Sequence, residues 1–103
     1  MRARVLRRDG YLCQDSKRFG KFVPARVVHH IYPIEYYPQY KLAKWNLTSL
    51  SVRSHEQMHN RDGHRLSLKG WRLLEKTART QGITVTDQDK YKCLGIVPEN
   101  KNE

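Results

Sequence analysis

Four of the five histidines in this chain fall into two pairs, His29-His30 and the ends of His55-Glu56-Gln57-Met58-His59. Positions four apart lie on one face of a helix, one turn above the other, so two imidazoles held there can grip a single metal ion. Neighbours on a strand point to opposite faces, so His29 and His30 do not easily share one ion. They can divide labour at the border of a site, one ring ligating and the other facing a substrate. Asn46 stands between the pairs, where its side chain can hydrogen-bond nearby backbone and pin a loop. Taken singly, each feature is equally an ordinary one: a surface pair, a satisfied structural histidine, a turn asparagine. His64, five residues past His59, reads as surface.

For these side chains to meet, particular elements must carry them. Arg26-Val27-Val28-His29-His30-Ile31 is β-branched and reads as a short strand. Tyr32 to Tyr40, with Pro33, Pro38 and four tyrosines, reads as a stiff loop followed by one helical turn before Trp45. Its tyrosines could stack on bases, but packing the loop is their expected task. Leu47-Thr48-Ser49-Leu50 reads as a second strand. A helix then begins between Ser51 and Ser54, with Ser54-x-x-Gln57 as a capping box and Gly63 as its stop. The middle of the chain is thus expected to run strand, long loop, strand, helix.

The flanks are simpler. Residues 1–8 suit a short basic helix closed by Asp9-Gly10, and residues 11–25 read as irregular. A further helix fits 68–81, between Ser67 as N-cap and Gly82. Trp71, Leu74 and Ala78 form its apolar face, with Lys69, Arg72, Lys76 and Arg79 largely off it. Pro98 to Glu103 reads as a frayed tail.

At 103 residues the chain has room for one small domain, and no stretch approaches the ~20 consecutive apolar residues of a membrane span, so an integral membrane protein is not expected. Ten aromatics are too many for a fully disordered chain. The first residues lack the apolar run of a secretory signal, so a cytoplasmic location is expected. In that setting Cys13 and Cys93 are expected as reduced thiols rather than a disulfide. Lys and Arg number 20 against 10 acids, for a net +10. The surplus lies in residues 1–26 (net +6) and 61–81 (net +4), on either side of a nearly neutral histidine-rich centre. Such a surplus points to an anionic polymer, nucleic acid first, since phosphate contacts release counterions. Solubility alone is the plainer alternative.

Taken together, His29-His30, fifteen residues, Asn46, eight residues, His55, three residues and His59 resemble the motif of the HNH nuclease family. The opening Val5-Leu6-Arg7-Arg8-Asp9-Gly10-Tyr11-Leu12-Cys13 is similar to the lead-in of small, stand-alone, phage-type members. The resemblance covers about residues 4–62. It implies an α+β fold: a small ββα-metal (His-Me finger) core with flanking helices, one domain over 1–97 with its core motif in 26–62. One departure stands out. Many small members carry two Cys-x-x-Cys knuckles for a structural zinc, where this chain has Cys13-Gln14-Asp15-Ser16 and Ser51-Val52-Arg53-Ser54. One sulfur of four cannot hold a tetrahedral zinc, so no structural zinc is expected. The N-terminal segment is then held by packing, with Phe19, Phe22 and Trp71 as the candidates.

Position by position, the resemblance makes His30 the general base and His29, His55 and His59 the ligands of one divalent ion. It places Asn46 in the catalytic motif, with a backbone carbonyl at or near Asn46 holding the other ring nitrogen of His30. Three imidazoles suit Zn, Ni, Co or Mn better than Mg, which prefers oxygen. Arg26, Arg53 and Arg61 are unranked candidates for clamping the phosphate. The implied activity is metal-dependent hydrolysis of DNA phosphodiester bonds, beside a phage packaging terminase by analogy of size and lead-in. The alternatives are a non-catalytic, metal-braced DNA-binding module and a nuclease directed at RNA.

Overall fold

The β-branched and histidine residues of Val27–His30 form β1, and Leu47–Leu50 form β2. They pair antiparallel as a two-stranded sheet, with Val27 opposite Leu50, Val28 opposite Ser49, His29 opposite Thr48 and His30 opposite Leu47. The computed structural model describes residues 1–95, so the tail expected over 98–103 lies outside the described residues. Around the hairpin stand α1 (Arg2–Arg8), α2 (Gln14–Lys17), α3 (Val52–Gln57), α4 (Leu68–Gln81) and α5 (Asp87–Leu94), making a mixed α/β fold. Among the described residues no helix is long and apolar enough to cross a membrane.

Two buried clusters flank the sheet. Ile31, Tyr32, Tyr37, Leu66, Trp71, Leu74, Ala78 and Cys93 form one; Cys13, Leu50 and Met58 form the other. The expected face of α4 is therefore core, while Trp45 is only half-buried at the edge of the first cluster. Ser67 caps α4 by accepting from the Gly70 amide, and Gly82 ends it in the left-handed region (φ 70°), as the sequence suggests. Both cysteines are free and buried.

The structure corrects the sequence reading in four places. Within 11–25 lies the helical turn α2, and Leu12 bridges to Pro24. Second, Phe19 and Phe22 are 65% and 73% exposed and pack into neither buried cluster. The N-terminal segment is anchored by Val5, Leu6 and Cys13, by Arg8 donating to the carbonyls of Lys44 and Leu47, and by the Ser49 amide donating to Asp9. Third, α3 is capped by Ser51, not Ser54, and stops at Gln57 rather than running to Gly63. Its continuation is taken over by pairing: His59 bridges to Leu66, and the Asn60 amide donates to the Arg65 carbonyl. The fourth is α5, whose reciprocal Thr86–Asp89 capping box was readable in the sequence but sits on a helix with only Tyr91, Cys93 and Leu94 as apolar or aromatic residues.

Candidate metal centre

β1 and α3 bring three imidazoles to one point. His29, 2% exposed, points from the sheet towards α3, and its ring centroid lies 5.3 Å from those of both His55 and His59. The rings of His55 and His59 are 5.0 Å apart, although His59 lies beyond the end of α3. The 55–59 pairing therefore comes from α3 plus the bridge to Leu66, not from two turns of one helix. One nitrogen from each ring lies within 4.8 Å of the others. Tetrahedral nitrogen ligands at ~2.0–2.1 Å from a common ion stand ~3.4 Å apart, so the rings would have to turn inward to hold one.

The ring chemistry fits a cation. Nε2 of His29 and Nδ1 of His59 are buried with no hydrogen-bond partner, a state that costs free energy unless something fills it. Burial, with His59, His55 and His30 adding like charge, pushes the His29 imidazole down to about 3. His55 is lowered by burial and then by His59, and His59 is lowered by burial against an opposing contact with the Arg65 backbone. Depressed imidazoles stay neutral, with lone pairs available, which is the form that ligates.

His30 is turned to other work. As the next residue on β1 it occupies the opposite face of the hairpin, and its Nε2 lies 3.3 Å from the Lys41 carbonyl oxygen. A carbonyl only accepts, so Nε2 is the donor in this contact. The carbonyl comes from Lys41, not from Asn46 itself. Asn46, fully buried, acts one step behind: its Oδ1 accepts from the Tyr32 amide at 2.6 Å, and its Nδ2 donates to the carbonyls of Tyr32 and Tyr40 at 3.2 and 3.3 Å. It staples both ends of the loop that carries Lys41. The loop is stiffened by Tyr32, Tyr37, Tyr40 and Trp45, whose rings pack on one another at 4.8–6.2 Å.

A cleft of about 410 Å³ opens beside His30, lined also by Arg2, Arg26 and Lys41. Of the three arginines expected from sequence, only Arg26 lies there. Arg53 is exposed on α3 and Arg61 is exposed in the loop after His59, and neither lines this cleft. Sequence reasoning missed Arg2 and the Lys41 carbonyl, since neither belongs to a spaced motif. His64 is on the surface. Comparison with protein-family models, curated proteins and solved structures found no match to this chain.

Proposed function

We propose that the protein is a metal-dependent nuclease of the HNH type, hydrolysing phosphodiester bonds in DNA on a ββα-metal core. The observation that carries this reading is the convergence of His29, His55 and His59 with buried ring nitrogens left unpartnered, while a fourth histidine, next in the chain but on the other face of the strand, is not needed as a ligand. A purely structural site needs ligands but no additional base.

In this reading His29, His55 and His59 hold one divalent ion, and their all-nitrogen set favours Zn, Ni, Co or Mn over Mg. When bound, the ion supplies Lewis-acid stabilisation of the charge that builds on the phosphate and on the leaving oxygen. His30 takes a proton from the attacking water at Nδ1, while the Lys41 carbonyl fixes its tautomer. Arg2, Arg26 and Lys41 draw a phosphate into the cleft at His30. Asn46 keeps the loop, and through it the His30 ring, in register. Action beside a packaging terminase rests on the resemblance alone.

The test is plasmid cleavage with Mn²⁺, Ni²⁺ and Mg²⁺, comparing wild type with His30→Ala. A variant that retains metal and DNA binding but no longer cuts supports the reading. Wild-type protein that binds DNA and never cuts with any of these ions replaces it with the metal-braced binding module. RNA run in parallel separates the two substrates.

A further inference from the structure

A second cationic surface lies away from the His30 cleft. Lys69, Arg72, Lys76 and Arg79 follow one another on α4 at spacings of three, four and three, which puts all four on one face of that helix. Across from them stand Lys17 and Arg18 at the end of α2, and the trough between the two helices has a volume of about 960 Å³. Its lining carries six cationic side chains against two carboxylates, Asp15 and Glu75. Asp15 is taken up by Lys69 at 2.8 Å. Among the described residues no ion pair engages Arg72, Lys76, Arg79, Lys17 or Arg18.

The trough lies on the imidazole side of the sheet, although none of the three clustered histidines lines it. Its floor includes Thr48, Leu50 and Met58. Thr48 is the register partner of His29, and residues directly opposite in an antiparallel pair share a face of the sheet. Met58 is the residue before His59. The trough and the imidazole cluster thus occupy the same side of the hairpin.

We propose that this α2–α4 trough is the seat of the sugar–phosphate backbone of duplex DNA, the partner named in the nuclease reading on which this inference rests. The ten residue steps of helix from Lys69 to Arg79 rise ~15 Å. One strand of duplex presents a phosphate every ~3.4 Å along its axis, so the stripe runs beside about four phosphates. The contacts are to backbone and carry no base information, so the surface binds any sequence. An acidic protein surface is the competing occupant.

The test uses the full chain without divalent ion, so that no cutting occurs, and a labelled duplex at several salt concentrations. Arg72→Ala/Lys76→Ala/Arg79→Ala is compared with Arg4→Ala/Arg7→Ala/Lys21→Ala, an equal loss of charge at exposed positions lining neither cavity. The trough variant is expected to bind roughly tenfold or more weakly, with a log–log salt slope shallower by about 0.9 for each phosphate that is no longer neutralised. The control variant is expected to keep most of its affinity and slope. Equal losses in both variants, or wild-type affinity in the trough variant, overturn the proposal, and the latter points to an acidic protein as occupant. Should the triple variant unfold, Arg72→Gln and Lys76→Gln singly carry the same comparison. Trough-dependent binding in a wild type that never cuts sinks the nuclease reading alone; cutting with trough-independent binding sinks this one alone.

Discussion

The backbone carbonyl of Met58 rests against the α-carbon of Gly70, so closely that a Cβ at Gly70 would collide with it. Met58 immediately precedes His59, and the same carbonyl accepts from the Ser67 amide at 2.9 Å. The first turn of α4 therefore fixes where the chain leaves α3, and with it the position of His59. Replacing Gly by Ala inside a helix ordinarily gains up to ~1 kcal/mol. Here overpacking against rigid backbone costs about 1–3 kcal/mol and wins. Gly70→Ala is expected to lower stability in denaturant melts and to weaken Co²⁺ binding, read by absorption. Unchanged stability and Co²⁺ affinity mean that the carbonyl yields and α4 does not position His59.

The depressed imidazoles set a pH dependence whose sign follows from proton counting. An unfolded histidine takes a proton near ~6.5. Folded His29 resists until about 3. Between those values the unfolded chain binds more protons, so stability of the metal-free protein falls as pH falls, by up to ~1.4 kcal/mol per pH unit from this residue. Above ~6.5 both states are neutral and the contribution is level. His29→Gln is expected to flatten the slope of unfolding free energy between pH 6.5 and 4 in chemical denaturation, and to abolish metal binding at neutral pH. An unaltered slope removes His29 as its source.

What the sequence made legible follows from how locally each feature is determined. β1 and β2 are written in a β-branched run and a leucine-bounded tetrapeptide, and α4 in its cap and its apolar spacing. The end of α3 is not local. Helical periodicity continues through His59, but pairing of 59–60 with 65–66 and the pressure of Gly70 on Met58 end the helix sooner. α5 has little apolar face, with Cys93 its one fully buried residue, and it is held by contacts from afar: the Leu66 amide on the Cys93 carbonyl and Arg65 on those of Tyr91 and Lys92. The histidines that converge were legible by spacing. The Lys41 carbonyl and the trough were not, because each needs a loop or helix to fold back over many residues.

Asn46 satisfies three backbone groups at once, and in its absence these stay buried. Leaving them unpaired costs about 1–3 kcal/mol for each group that water does not reach. Asn46→Ala is expected to destabilise by at least that much, and to cut far less while keeping metal stoichiometry, because the His29, His55 and His59 cluster does not pass through this loop. Metal titration by calorimetry beside a cleavage assay checks both halves. Loss of the bound ion in the variant shows that Asn46 supports the ligands as well.

The departure at the knuckle positions gives a test of the family resemblance that needs no catalysis. Cys13 Sγ donates to Ser54 Oγ at 3.3 Å, Ser54 donates to Asp15 at 3.3 Å, and Asp15 receives Lys69 at 2.8 Å. The Ser54 amide in turn donates to Ser51 Oγ at 3.1 Å, and Ser16 also contacts the Cys13 sulfur. Cys13, Ser16, Ser51 and Ser54 thus meet in one polar knot where a four-sulfur site would stand. Installing sulfurs with Ser16→Cys, Ser51→Cys and Ser54→Cys removes the α3 cap, at a cost of about 1 kcal/mol, which a tetrahedral thiolate zinc would far outweigh. The triple variant is expected to bind one more zinc than wild type by elemental analysis and to melt at a higher temperature. No additional zinc means that these four positions do not share the geometry of a knuckle, and the resemblance then fails over the N-terminal part of the chain.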